Sequence, residues 1–172
     1  MIEIYEPTCL FNVKKFNAFC KKYDFQFPQE FVDYLKKYND AELELNVFEF
    51  EDNADCVRYF YGTTDETYND ISEQYEVFKD RMPKKCVPIA DTEGGNQVCM
   101  SLNKGTYGKI YYWDHETMDT DDDEECVLCF EDMCFLANSF NEFLKNLQPD
   151  TTEVVIEEVK SLKDRFLGFF RK

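Results

Sequence analysis

The sequence predicts an α+β fold in which helices pack around an antiparallel sheet of about five or six strands. Between residues 86 and 113, short apolar runs alternate with turn residues, which is typical of sequential strands that pair antiparallel. Residues 13–38 and 71–82 instead place apolar side chains at helical spacing. Apolar residues make up 44% of the 172-residue chain, which is enough to bury a core in one domain.

Two helices are predicted before the first strand. The first covers residues 13–23, with Phe16 and Tyr23 on its apolar side and Asn12 placed to cap it. In the second, Pro28 suits the first turn, because the N–H that proline lacks has no helical partner there. Phe31 then begins the buried stripe of this second helix.

The middle of the chain predicts two strands and a third helix. Residues 45–50 alternate between the two faces of a strand, and residues 57–61 form a second strand-like run after a turn. Apolar residues then follow helical spacing from Ile71 to Met82. Pro83 is expected to end this helix, because its ring clashes with the preceding turn.

A three-strand meander follows. Residues 87–90 form an apolar run typical of a buried strand, and residues 98–102 alternate as a half-buried strand does. Gly94 and Gly95 can form the turn between them, since glycine adopts positive φ without a Cβ clash. Residues 110–113 complete the meander.

The C-terminal part predicts one more strand and two helices. Residues 127–130 form a strand-like apolar run. Ser139 followed by Glu142 makes a capping box, which indicates that a helix begins there. A further amphipathic helix is predicted over residues 149–172, so the chain divides into a domain at residues 1–148 and an extension at residues 149–172.

Three placements of this last helix fit its pattern. The favoured one packs it on its own domain. In the others it docks on a partner or a second copy, or it lies at a membrane interface with its phenylalanine rings in lipid. Those rings belong to Phe166, Phe169 and Phe170.

Several short motifs resemble the SUKH superfamily, which includes a fungal cell-wall-assembly regulator and many bacterial immunity proteins that neutralise toxins. The motifs are PIAD at residues 88–91, GGN at 94–96, GKIYYWDH at 108–115, FPQEF at 27–31 and NSFNEFL at 138–144. Their order and spacing extend the similarity over residues 12–147. The resemblance implies an α+β fold and a binding role without catalysis.

The net charge of −17 is concentrated in the body of the chain. Residues 149–172 contain five acids and five bases, so their charges cancel. An acidic body repels nucleic acid and anionic membranes, and it attracts basic partners. Residues 119–125 are almost entirely acidic, which predicts a solvated loop. We therefore expect a basic protein partner rather than nucleic acid or a membrane.

The N-terminus and the cysteines predict a cytoplasmic protein. The first ten residues lack the basic and apolar regions of a secretory signal, and no apolar run is long enough to span a bilayer. Several of the eight cysteines lie in apolar stretches, where free thiols behave as small buried hydrophobic groups. The oligomeric state is not indicated.

Motifs that could carry chemistry are incomplete. Cys126 and Cys129 form a single CxxC pair, whereas a structural zinc site normally needs four ligands. Residues 119–130 begin like an EF-hand but lack its glycine and its final glutamate. His115 is the only histidine, and its acidic neighbours suit turns as well as acid–base catalysis. We expect no metal, no cofactor and no enzymatic activity; a deep pocket around His115 would favour the enzyme alternative.

The sequence therefore predicts an acidic binding protein, and the resemblance implies that its partner is a toxin domain. A nuclease is a suitable target, because its basic groove for phosphates can accept an acidic surface. Two sets of acids are predicted to make that surface. The first is Asp119, Asp121, Asp122, Asp123, Glu124 and Glu125, and the second, at the strand ends of the meander, is Asp91, Glu93, Asp114 and Glu116. The alternative is a regulatory scaffold of the fungal-regulator kind.

Overall fold

The computed structural model describes residues 7, 9–41, 43, 45–115 and 130–149. Within these residues there are four α-helices and one seven-stranded sheet. The helices are α1 (Val13–Tyr23), α2 (Gln29–Tyr38), α3 (Ile71–Phe78) and α4 (Phe140–Asn146). The strands are β1 (Leu45–Phe50), β2 (Asn53–Phe60), β3 (Cys86–Thr92), β4 (Gln97–Ser101), β5 (Ile110–Trp113), β6 (Cys134–Ala137) and β7 (Gln148–Pro149).

The sheet order is β6-β5-β4-β3-β2-β1-β7, and every neighbouring pair is antiparallel. The α+β class is therefore confirmed. The sheet exceeds the expected five or six strands because the short β6 and β7 extend its two edges. It also curls, since the Phe50 ring of β1 stacks on Tyr112 of β5 with their centroids 4.2 Å apart.

One face of the sheet is covered by helices through an aromatic core. Helices α1, α2 and α4 contribute buried phenylalanines that pack with Val98, Met100 and Ile110 of the central strands. The opposite face carries a smaller apolar cluster that includes Trp113 and Met82. Burial of both faces is consistent with β3, β4 and β5, in which every residue is buried.

Local signals explain where the helices begin. Asn12 caps α1, because its side-chain oxygen accepts the Lys15 N–H at 3.1 Å. Ser139 caps α4 in the same way by accepting the Glu142 N–H at 3.1 Å. The Glu142 carboxylate reaches back to the Asn138 N–H at 3.0 Å rather than to that of Ser139. Both capping predictions are confirmed.

Two expected elements differ in the structure. Helix α3 ends at Phe78 rather than at Pro83, because the chain leaves the helix and places Met82 in the cluster around Trp113. Phe130 lies in a 3₁₀ turn, Phe130–Asp132, rather than in a strand, and its ring packs on Tyr111. Residues 127–129 and the predicted helix at 150–172 lie outside the described residues. In the described part of the chain, no helix is long and apolar enough to cross a membrane.

A close approach at Gly62 gives a testable stability prediction. A Cβ at this position would lie 3.0 Å from Asn39 Cγ and still closer to its oxygen. Asn39 cannot move freely, since it is 1% exposed and its oxygen accepts the Thr63 N–H at 2.8 Å. Gly62→Ala is expected to lower the free energy of unfolding by about 2 kcal/mol, measured by chemical denaturation.

Gly105→Ala is the matched control. A Cβ at Gly105 would meet nothing within 4 Å. This change is expected to be neutral or to stabilise slightly, because it restricts the unfolded chain. Equal loss of stability in the two variants would contradict the packing argument at Gly62.

Candidate functional site

Four segments meet at one end of the sheet because neighbouring strands are antiparallel. They are the β1–β2 turn, the β3–β4 turn, the end of β5 and the start of β6. We call this region the acidic end. Its carboxylates belong to Glu51, Asp52, Asp55, Asp91, Glu93, Asp114 and Asp132.

Lysines occupy the opposite end of the sheet. Lys84 and Lys85 directly precede β3, and Lys104 lies in the loop between β4 and β5. Lys85 and Lys104 border an open cavity of about 420 Å³, in which Lys85 forms an ion pair with Asp24 at 3.3 Å. The opposite end is therefore mixed in charge, since Asp24, Asp65 and Glu66 lie there together with the lysines.

Asp91 is held inside the protein at the acidic end. It is 8% exposed, and its carboxylate pairs with Arg58 at 3.2 Å and accepts a hydrogen bond from Gln97 at 3.2 Å. The Tyr61 hydroxyl donates in turn to Gln97 at 2.7 Å. Burial, followed by the charge of Asp91, raises the pKa of Tyr61, so this hydroxyl stays protonated. Asp91 thus serves mainly to hold strands together.

A second hydrogen-bond chain crosses the acidic end from β2 to β5. The Tyr112 hydroxyl donates to Asp55 at 3.1 Å and accepts from the Asn96 amide at 2.6 Å. Burial raises the pKa of Tyr112, and the Asp55 carboxylate raises it further, so the hydroxyl remains a donor. The Asn96 oxygen accepts from the backbone of His115 at 3.1 Å. This chain fixes the two turns relative to the end of β5.

Other carboxylates at this end face solvent. Asp52 and Glu93 are exposed, and within the described part of the chain neither carboxylate makes a hydrogen bond or an ion pair. Glu51 is also exposed and has a φ of 50°, a left-handed conformation that favours glycine. Its carboxylate lies 3.9 Å from the Cys134 thiol, whose pKa is raised by burial and by Glu51. These three side chains place negative charge on the surface of the acidic end.

Comparison with known proteins gives a family match across most of the chain. Residues 12–146 match the model of the SMI1/KNR4 family (SUKH-1). The chain belongs to this family. The match confirms the resemblance to the SUKH superfamily, and its limits agree closely with the similarity expected from the motifs.

A relative of this SUKH-1 protein is found in Bacillus subtilis (strain 168). It is described as SPbeta prophage-derived uncharacterized protein YokK and is 29% identical over 152 residues. The similarity covers 77% of this chain and 72% of the relative.

The structure brings together part of the acidic surface expected in this SUKH-1 chain. Asp91, Glu93 and Asp114 all lie at the acidic end, although Asp91 is buried and ion-paired. The remaining predicted positions lie outside the described residues. They are Glu116, Asp119, Asp121, Asp122, Asp123, Glu124 and Glu125.

Sequence reasoning missed the contribution of the first hairpin. Glu51, Asp52 and Asp55 join the meander acids because the β1–β2 turn and the β3–β4 turn share one end of the sheet. The alternation of strand direction could have placed them there, once β1 and β2 were assigned to the same sheet as the meander.

The described residues contain no cluster of three or more histidine, cysteine, aspartate or glutamate side chains suited to a metal ion. Cys126 and Cys129 lie outside those residues. His115 is anchored through Asn96, and it does not line the cavity at the lysine end. In its described part, the acidic end therefore presents charged and hydrogen-bonding groups on a surface.

Proposed function

We propose that this SUKH-1 protein is a binding protein without catalytic activity that neutralises a toxin domain by covering a basic surface on it. The observation that carries this proposal is the concentration of carboxylates at one end of the sheet, whereas the opposite end is mixed in charge. An uneven charge of this kind orients a basic partner during its approach and raises the association rate.

The geometry of the acidic end supports a role in recognition. The chain from Asp55 through Tyr112 to Asn96 makes the surface rigid, so binding need not order it first. The backbone of Glu51 is left-handed, and this conformation costs glutamate about 1 kcal/mol more than it would cost glycine. Strained residues of this kind occur often at functional sites.

A nuclease is the partner class that best fits this charge. Nucleases bind phosphates through lysine and arginine side chains, so their active-site groove attracts carboxylates arranged on a rigid surface. The proposed mechanism is occlusion, in which the acidic end fills that groove and keeps nucleic acid out. No bond is made or broken by the SUKH-1 chain.

Neutralising two exposed acids at this end tests the proposal. The partner would be captured from native lysate on the full chain, identified by mass spectrometry and then purified. We expect Asp52→Asn with Glu93→Gln to slow its association roughly three- to tenfold at low salt and to reduce the salt dependence of the rate. Stopped-flow or biosensor kinetics would measure both effects.

Asp65→Asn with Glu66→Gln is the matched control. Both acids are exposed, follow the far end of β2, and make no hydrogen bond or ion pair through their carboxylates in the described structure. This variant removes the same charge but should leave the association rate nearly unchanged. Equal slowing by both variants would show that only net charge matters, and a captured partner without toxin activity would favour the scaffold alternative.

A further inference from the structure

His115 lies two residues after β5, at the acidic end, and its ring makes a hydrogen bond to Asn96. It is partly buried, and it is the only histidine in the chain. Its Nδ1 lies 2.8 Å from the side-chain oxygen of Asn96. The ring also lies over the β3–β4 turn, since a Cβ on Gly95 would be 3.5 Å from His115 Cε1.

The donor in the contact between His115 and Asn96 can be assigned from the backbone. The His115 N–H can only donate, and it points at the same Asn96 atom at 3.1 Å. That atom must therefore be the amide oxygen, so Nδ1 must carry a proton to donate to it. The Asn96 NH₂ group then donates to Tyr112, which donates to Asp55.

This assignment determines what the other ring nitrogen can do. In the neutral ring with a proton on Nδ1, Nε2 has a free lone pair and acts as a hydrogen-bond acceptor. Within the part of the chain that the structure describes, Nε2 has no hydrogen-bond partner. Nε2 of His115 is thus a fixed acceptor that lies among carboxylates. It can accept a hydrogen bond from a donor on another molecule.

Charged groups of both signs surround the ring. Asp114 precedes it, and Asp55 lies at the far end of the hydrogen-bond chain. From the segment after α3, Arg81 donates to the His115 carbonyl at 2.9 Å, while its guanidinium lies over the Trp113 ring at 5.2 Å. Arg81 is thus engaged with the backbone and the Trp113 ring on β5.

We propose that Nε2 of His115 accepts a hydrogen bond from an arginine side chain of the basic partner. The Asp55–Tyr112–Asn96 chain holds the ring in the tautomer that makes this possible. The proposal rests on the proposed function, since it assigns a contact within the acidic end. Arginine is the expected donor, because its five N–H groups can bond to an imidazole nitrogen and a neighbouring carboxylate together.

Nitrogen NMR of the imidazole tests the tautomer directly, and the single histidine makes the signals unambiguous. In the neutral ring we expect the proton on Nδ1 and none on Nε2. Titration with a short arginine-rich peptide should then shift the Nε2 resonance and leave Nδ1 nearly unchanged. A ring protonated on Nε2, or an Nε2 signal unmoved while the peptide binds, would overturn the proposal.

Two substitutions separate anchoring from recognition. His115→Asn retains an amide N–H that can replace Nδ1–H, but it removes the Nε2 acceptor. We expect it to weaken peptide binding about tenfold without loss of thermal stability. Asn96→Ala should instead leave His115 in a mixture of tautomers. Peptide binding that His115→Asn leaves unchanged counts against the proposal.

The outcomes also separate this inference from the proposed function. If the peptide binds at the acidic end and is weakened by Asp52→Asn with Glu93→Gln, but His115 does not respond, only the inference fails. If the peptide binds equally well to that variant and to wild type, the acidic end is not the binding surface and both fail.

Discussion

Replacing Phe140 by alanine is expected to lower the free energy of unfolding by about 3–5 kcal/mol. Phe140 is 0% exposed, and its ring meets those of Phe31 and Tyr34 at centroid distances of 5.0 Å and that of Phe60 at 5.3 Å. Truncation would remove edge-to-face contacts with α2 and β2 and leave a cavity between α4 and the sheet. Urea or guanidinium denaturation followed by circular dichroism would measure the change.

Phe135→Ala is the control for this prediction. Phe135 is 49% exposed, and its ring lies on the other sheet face, where it packs on Tyr111. Its loss is expected to cost less than about 1 kcal/mol. If Phe140→Ala cost no more than Phe135→Ala, α4 would not be the support of the core that the structure indicates.

Replacing Asp70 by alanine is expected to cost about 3 kcal/mol. The Asp70 carboxylate is 1% exposed on its side chain and forms an ion pair with Lys15 at 2.9 Å. One of its oxygens caps α3 by accepting from Ser72 N–H at 3.1 Å, and the other accepts from Thr64 N–H at 3.2 Å. Alanine removes a helix cap worth about 1 kcal/mol and leaves buried N–H groups without acceptors at about 1–3 kcal/mol.

Asp70→Asn distinguishes the cap from the charge. Asparagine is a good N-cap and can keep the bond to Ser72, but it loses the ion pair with Lys15. An intermediate loss of about 1–2 kcal/mol is expected. Equal stability of the asparagine and alanine variants would mean that the cap contributes nothing. Thermal and chemical unfolding of both variants would decide this.

The helices and the meander could be predicted because their signals are local. Asn12 and Ser139 cap helices with side chains that lie next to the turns they serve. The alternation at residues 98–102 predicted strand β4 correctly, although β4 lies between β3 and β5 and is fully buried rather than half-buried. A pattern read within a few residues is sufficient for such elements.

The edges of the sheet could not be predicted in this way. β6 and β7 are four and two residues long, too short to show a period, and they exist because β5 and β1 offer them hydrogen-bonding partners. The end of α3 at Phe78 likewise depends on Met82 finding a place beside Trp113. These features follow from tertiary packing.

For the candidate surface too, local features could be predicted from the sequence, but contacts between strands could not. The density of acids was visible in the sequence, but the internal use of Asp91 was not, because Arg58 approaches it from a different strand. The tautomer of His115 depends on Asn96, 19 positions earlier in the chain. Pairings across strands decide which acids are available to a partner.

Hydrogen–deuterium exchange of the full chain, alone and with its captured partner, tests the central claim most directly. Binding through the acidic end predicts new protection at residues 51–55, 93–96 and 114–115, with little change at residues 84–85 and 102–107. Protection confined to the lysine end, with the acidic end exchanging as in the free protein, would contradict the account.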